Sequence, residues 1–328
     1  MKVEYKHILV TGGVGSVGRA MIDRLLTEHP EVEKITIFSR DEHKQIDMGQ
    51  ELGEYSDRLR FIIGDIRNDR RIEEACRGVD AIIHAAAMRL VPAAEANPFE
   101  AVETNVVGTR NLIRAAKINR VQRVVAISSD KAVNPTTAYG ATKFLMERLL
   151  IEADGEGDTR FCMVRYANIL TSRSSVVPLF VRLRASGVLP ITDPTMTRFS
   201  ITMREGTDLI MNALTKGWGG EIICPISPSY KVEDMAMAIA PDAEHRIIGA
   251  RPGEKKHEAM YSLVEASMAL RHGSYIVLCP TGGRWTPNDY MAANEGVMPV
   301  DPLRDYNSGD NDDCLGVEQI RTLVEREL

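Results

Sequence analysis

The feature that most restricts the fold is an apolar run that breaks into glycines near the start of the chain. Ile8, Leu9 and Val10 lead into Thr11, Gly12, Gly13, Val14, Gly15, Ser16, Val17 and Gly18, and a helical pattern follows from Arg19 to Thr27. Glycines at 12, 15 and 18 suit a tight turn, a close backbone approach to a pyrophosphate and tight helix packing, with the helix N-terminus facing the anion. In the first strand-to-helix junction of a chain, this pattern predicts dinucleotide binding. It assigns Thr11, Gly12, Gly15, Ser16, Val17 and Gly18 to the cofactor.

The first half of the chain agrees. β-Branched runs at Ile8 to Thr11, Ile35 to Phe38, Phe61 to Ile63, Ala81 to His84, Val124 to Ser128 and Phe161 to Val164 alternate with helix-sized segments. That alternation predicts βαβ units and a doubly wound parallel α/β sheet, a Rossmann domain over residues 1–165. After Arg165 the pattern loosens around Pro178, Pro190, Pro194, Pro225 and Pro228, with helical runs at Glu205 to Leu214 and Val232 to Ile239. Residues 166–328 are therefore read as a smaller, mainly substrate-binding domain, with some segments returning to the Rossmann sheet. With 328 residues, 44% of them hydrophobic, the chain can build one large core or two modest ones. The polar segment Asn307 to Asp313 reads as an exposed loop before a final helix from Val317. It lacks the glutamate that a calcium loop requires.

Forty Lys and Arg against 46 Asp and Glu leave a net charge of −6. A broad electrostatic grip on nucleic acid or an anionic membrane is not expected, so any phosphate must be held locally. No apolar run approaches the roughly 18 residues of a membrane span, and the first ten residues lead into a strand and not into a signal-peptide core. A cytoplasmic protein is expected. The five cysteines, Cys76, Cys162, Cys224, Cys279 and Cys314, form no C-x-x-C pair, which argues for reduced, packed thiols and against disulfides or a metal site.

At the tip of the second strand an NAD site usually carries an acid for the ribose 2′-hydroxyl. This chain has Ser39 and Arg40 there, then Asp41 and Lys44, a set that suits a 2′-phosphate and favours NADP over NAD. Asp65 and Ile66 follow the third strand, where an adenine ring would lie. Ala85, Ala86 and Ala87 follow the fourth and let backbone approach the cofactor, while His84 reads as a packed structural histidine. Asn105, counted with the cofactor residues, is expected to tie its helix to neighbouring backbone.

The fifth strand ends in Ser128, Ser129, Asp130 and Lys131, and Tyr139 and Lys143 follow. Four residues apart on a helix, Tyr139 and Lys143 share a face, so the ammonium is expected to depress the phenol's pKa and make it a usable acid or base. Ser129, at the carboxyl edge of the sheet, would hydrogen-bond the same substrate oxygen.

With these residues in place, the chain resembles the extended short-chain dehydrogenase/reductases. The run SSDKAVNPTTAYGATK (Ser128 to Lys143) resembles, more narrowly, the soluble C5-inverting UDP-N-acetylglucosamine 4,6-dehydratases of polysaccharide biosynthesis. TGGVGSVG, FSRDEHKQ, GDIRN, HAAA, VPAAEANPFEAVETNVVGT, SSVVPLF, TDPTMTRF and RPGEKKHE resemble family segments in the family's order, from about residue 6 to about residue 262. The resemblance implies a tightly bound NADP regenerated in each turnover: C4 of a hexose is oxidised, C5 is deprotonated, the C6 hydroxyl leaves as water, and hydride returns to C6. It implies that Tyr139 takes the C4 proton, Lys143 tunes it and holds the nicotinamide ribose, Asp130 protonates the leaving hydroxyl and Lys131 works at C5. For that task the pKa of Lys131 is expected to fall towards 7 or 8 through burial and the nearby Lys143.

For the UDP-sugar, the resemblance points to Asn168 on the diphosphate, with Arg198 and Arg251 as further phosphate ligands. Glu254 would accept from a ribose hydroxyl, Arg89 stands where a lysine is common, and Val177, Pro178 and Leu179 would flank the uracil. Ala167, Thr171 and Ser174 replace common glycines, and Ser200 replaces an aromatic. A homo-oligomer is implied. Two other readings stay open, a UDP-hexose C4 epimerase, which needs Tyr139 and Lys143 but not Asp130 and Lys131, and a catalytically silent NADP-sensing module.

Overall fold

A computed structural model describes residues 2–172 and 175–328; Ser174 lies outside the described residues. Six parallel strands come from the first half of the chain: β1 (His7–Thr11), β2 (Lys34–Ser39), β3 (Leu59–Ile63), β4 (Ala81–His84), β5 (Arg123–Ser129) and β6 (Arg160–Tyr166). Four more come from the second half: β7 (Ile222–Pro225), β8 (Ala269–His272), β9 (Tyr275–Leu278) and β10 (Val297–Pro299). Together they form one sheet in the order β10-β8-β9-β7-β6-β5-β4-β1-β2-β3. β7 extends the parallel part beside β6, and β9, β8 and β10 continue it antiparallel.

Successive strand residues point to opposite faces, and both faces are apolar, as a sheet covered on two sides requires. Ile8 and Val10 pack with Met21, Ile22 and Leu25 of the helix Ser16–Glu28 and with Ile210 and Leu214 of the helix Met203–Lys216. Leu9 joins the opposite core with Ile72, Leu112, Met146 and Leu150. The helices Asp69–Ala75, Gly108–Ile118 and Ala138–Asp154 supply that layer. Strand order reverses between β1 and β4, which opens a crevice at their carboxyl ends, the place where such sheets bind ligands.

A third core lies apart from the sheet. It joins Val177 and Phe180 to Leu189, Ile191, Tyr230 and Met235, and the final helix Val317–Glu327 closes it with Ile320 and Val324. The segment Asn307 to Asp313 is more than a solvated loop. Tyr306–Asn307 pairs with Ala259–Tyr261, and Ser308 is buried, its hydroxyl 2.7 Å from Thr197 Oγ1. Four of the cysteines are buried as expected, but Cys314 is exposed. No helix of the described residues is long and apolar enough to cross a membrane.

Candidate active site

The first turn is built around a residue that must be glycine. Gly12 has φ +67°, and a Cβ there would stand 2.8 Å from the Ala86 nitrogen and 2.9 Å from the Ala85 carbonyl oxygen. The helix Ser16–Glu28 then starts at Gly15 with no side-chain cap on its first N–H groups. Free backbone donors at a helix N-terminus, beside a turn without side chains, make a cradle for a pyrophosphate. Thr11 supports it from below, its hydroxyl 2.7 Å from His84 Nδ1 and accepting from the Ala86 N–H at 3.3 Å. His84 also reaches Thr109 Oγ1 at 3.1 Å, and burial drives its imidazole down to about 3, so it is a neutral structural histidine, as expected.

A cavity of about 420 Å³ runs from this cradle along the ends of β4, β5 and β6. It brings together Gly12, Gly15, Ser16, Val17 and Gly18 with Ala85, Ala87 and Arg89, then Ser129, Lys131, Tyr139 and Lys143, and finally Asn168, Arg198, Arg251 and Glu254. These residues come from segments up to 242 positions apart, by the difference between 254 and 12, and the sheet edge is what gathers them.

Other expected residues do not line it. Asn105 ties its helix to the loop after β4, accepting from the Met88 N–H at 2.8 Å and donating to the Met88 carbonyl and Thr142 Oγ1. Ser39 is buried and accepts from Gln45 Nε2, Lys44 pairs with Asp41, and Arg40 is exposed, its guanidinium 3.7 Å from Asp65. The Asp65 carboxylate is bonded by Arg67, and Ile66 is buried in the core. Val177 and Pro178 also fall outside the lining. The expected uracil contact of Val177 is corrected here: the side chain is 1% exposed, on the face of the helix Val176–Leu183 that packs into the third core.

The helix carrying Tyr139 and Lys143, Ala138–Asp154, is capped by Thr137, whose hydroxyl accepts from the Gly140 N–H at 3.1 Å. It presses so closely on the turn after β5 that a Cβ at Gly140 would run into the Lys131 carbonyl oxygen. Tyr139 and Lys143 are both buried. Burial raises the pKa of Tyr139, and Lys131 and Ser129 only partly pull it back. The expected depression of the phenol by Lys143 is not found, because that ammonium donates to the Ile127 carbonyl at 2.5 Å and to Met146 Sδ at 3.1 Å. Burial brings Lys143 itself down to about 8.

Asp130 is buried; its Oδ1 accepts from Ser129 Oγ at 2.8 Å and from Lys131 Nζ at 3.1 Å. Lys131 is held on its other side by Glu258 Oε1 at 3.3 Å. The expected fall in the pKa of Lys131 is therefore overturned. Burial lowers it, but the two buried carboxylates outweigh burial and leave it above its ordinary value. Sequence reasoning missed Glu258 and Lys255, which both line the cavity, and Tyr166, whose buried hydroxyl has no partner among the described residues. The run RPGEKKHE was the only local signal for the first two. Spacing cannot show that its last residue meets Lys131.

A dinucleotide cradle, a buried Tyr and Lys one helical turn apart, and a serine at the neighbouring strand end define an extended short-chain dehydrogenase/reductase. The chain belongs to the polysaccharide biosynthesis protein family, whose sequence model matches residues 8–280. It is 43% identical over 281 residues to the UDP-N-acetylglucosamine 4,6-dehydratase (inverting) of Campylobacter jejuni subsp. jejuni serotype O:23/36 (strain 81-176), covering 84% of this chain and 83% of that protein. It is 39% identical over 329 residues to the UDP-glucose 4-epimerase of Rickettsia felis, covering 97% and 95%. The crystal structure of Pen from Bacillus thuringiensis superposes with a TM-score of 0.90 at 32% identity, covering 99% of each chain.

Proposed function

We propose that the protein dehydrates a UDP-hexose, UDP-N-acetylglucosamine above others, to a 4-keto-6-deoxy sugar nucleotide with inversion at C5, as a step in surface glycan synthesis. The observation that carries this reading is the grouping of Asp130 and Lys131 with Tyr139 and Ser129 at one sheet edge. An oxidation at C4 needs one base; elimination across C5 and C6 needs a second proton acceptor and an acid. The 43% identity to a dehydratase of this kind supports the same reading.

The glycine cradle fits a nicotinamide dinucleotide, which when bound supplies a hydride acceptor at C4 and a hydride donor at C6. Tyr139, hydrogen-bonded through Ser129, takes the proton of the C4 hydroxyl. Lys143 orients the nicotinamide ribose. Asp130, a carboxylate until the C4 proton reaches it through Ser129, passes that proton to the departing C6 hydroxyl, and Lys131 exchanges the proton at C5 and returns it from the opposite face. Asn168, Arg198 and Arg251 hold the diphosphate, since guanidinium forks match phosphate oxygens. Arg198 is set by the Glu254 carboxylate at 3.4 Å and by the Thr197 and Lys256 carbonyls. Arg40 at the tip of β2, 62% exposed, is the side chain positioned to meet a 2′-phosphate and favours NADP.

The site works in a homo-oligomer. Phe99, 85% exposed, and Val102 lie on a helix that packs against the helix of Tyr139, which carries the exposed Phe144 and Leu145, and these apolar side chains are ones a second copy would cover.

An NMR time course with UDP-N-acetylglucosamine in deuterated water tests the reading. A C6 methyl signal with deuterium at C5 and no net use of NADP is expected, and the ring couplings then give the C5 configuration. A second reading, C4 epimerisation, is favoured by the relatives named UDP-glucose 4-epimerase, which match 97% of the chain. In that case only the C4 epimer accumulates and C5 keeps its proton.

A further inference from the structure

The ammonium of Lys131 is shared between two carboxylates on opposite sides. Asp130 precedes it in sequence, and Glu258 reaches it from a loop 127 residues later, by the difference between 258 and 131. Both acids are almost fully buried, at 1% and 3% exposure. Each also has one shielded oxygen, Asp130 Oδ2 and Glu258 Oε2, without a hydrogen-bond partner among the described residues. Glu258 Oε2 forms an ion pair with Lys255 Nζ at 3.7 Å. An ammonium held in this way has no lone pair with which to take a proton from carbon.

The backbone at Glu258 is clamped. Its N–H donates to Ser308 Oγ at 3.0 Å, and the Ser308 N–H donates to its carbonyl at 2.8 Å. The segment near the C-terminus thus holds this carboxylate against the cavity.

We propose, resting on the dehydratase reading, that Glu258 is the proton store for the C5 step and acts through Lys131. An N–H bond of Lys131 breaks as an O–H bond forms on Glu258. The proton that Tyr139 took from the C4 hydroxyl passes through Ser129 to Asp130, which is a carboxylate until then. The amine freed at Lys131 takes the C5 proton, and the C5–H electron pair expels the C6 hydroxyl, which leaves as water with the proton Asp130 has just received. When hydride reaches C6, Lys131 returns a proton to C5 and recovers one from Glu258, so the site ends as it began. Glu258 is a positioning residue here, since Lys131 alone touches the carbon.

The test compares wild type with Glu258→Gln, which keeps the shape and removes the proton acceptor. UDP-N-acetylglucosamine is mixed with each holoenzyme in deuterated water; C4 oxidation is followed by the absorbance of the reduced nicotinamide and C5 exchange by NMR. C4 oxidation is expected to stay within about threefold of wild type while C5 exchange and methyl formation fall about 100-fold or more, the usual scale for a lost acid–base group. Wild-type exchange in the variant overturns the proposal, as does an equal loss of C4 oxidation and C5 exchange. If Glu258→Gln does not fold, Glu258→Asp keeps the charge but draws the oxygen away from Lys131. The same split in a milder form is expected, and unchanged exchange again overturns the idea. A wild-type protein that makes no methyl group overturns the dehydratase reading and this step with it; a wild type that does so, matched by Glu258→Gln, overturns this step alone.

Discussion

Arg165 and Glu147 meet at 2.7 Å with neither side chain exposed to solvent. The pair joins the end of β6 to the helix that carries Tyr139 and Lys143, and it is extended by Ser128 Oγ on Glu147 and by Glu265 on Arg165. Breaking one partner of such a pair leaves an uncompensated buried charge. Arg165→Met is expected to lower unfolding stability by about 3–5 kcal/mol, read from urea denaturation. A loss below about 1 kcal/mol would show that the network contributes no more than a surface pair.

Gly12→Ala is expected to abolish tight dinucleotide binding without unfolding the sheet. The positive φ strains any side chain by about 1–2 kcal/mol, and the new methyl would press on Ala85 and Ala86. Titration of NADP followed by fluorescence, with circular dichroism as the control for folding, checks this.

In Lys131→Ala, elimination is expected to fall by about 10²–10⁴, while oxidation at C4 persists through Tyr139 and Lys143, slowed by loss of the ammonium that helps lower the Tyr139 pKa. A rapid-mixing trace should show reduced nicotinamide that forms and then stalls. Full turnover in this variant would remove Lys131 from the C5 step.

His84 gives stability a pH dependence. Its folded pKa of about 3 lies below the ordinary histidine value, so the neutral form is the one the fold accepts. This contribution is fully present above the unfolded pKa of about 6.5 and is lost as pH falls towards 3, by up to about 1.4 kcal/mol per pH unit. Denaturation midpoints between pH 7 and pH 4 should fall in wild type. They should fall less in His84→Gln; equal slopes would show that other groups carry the effect.

Arg40→Ala is expected to weaken NADP by about 10- to 100-fold, the scale of a charge-assisted hydrogen bond, and to leave NAD unchanged. Equal losses for both would show that Arg40 does not meet the 2′-phosphate. Calorimetric titration of each dinucleotide separates the two outcomes.

The features legible from sequence are those whose cause is local. The apolar alternation in β1 to β6, the glycine turn, and the spacing of four between Tyr139 and Lys143 each act over a few neighbouring residues, and the chain forms them where the residues predict. The sequence likewise determined that a dinucleotide cradle and a set of acid–base groups would stand at the carboxyl edge of one parallel sheet, because strand-to-helix turns all open on that edge. Tertiary structure decided which charges face one another. The spacing of 130 and 131 cannot reveal that Glu258 closes on Lys131, so the direction of its pKa was misread. The apolar pattern around Val177 cannot say whether its face meets a ligand or a core. Lys143 could be placed on the face of Tyr139, yet only the packed structure turns its ammonium to Ile127. Electrostatic interactions fall off over a few ångströms in space and not along the chain, and that is why the protonation of this site belongs to the fold.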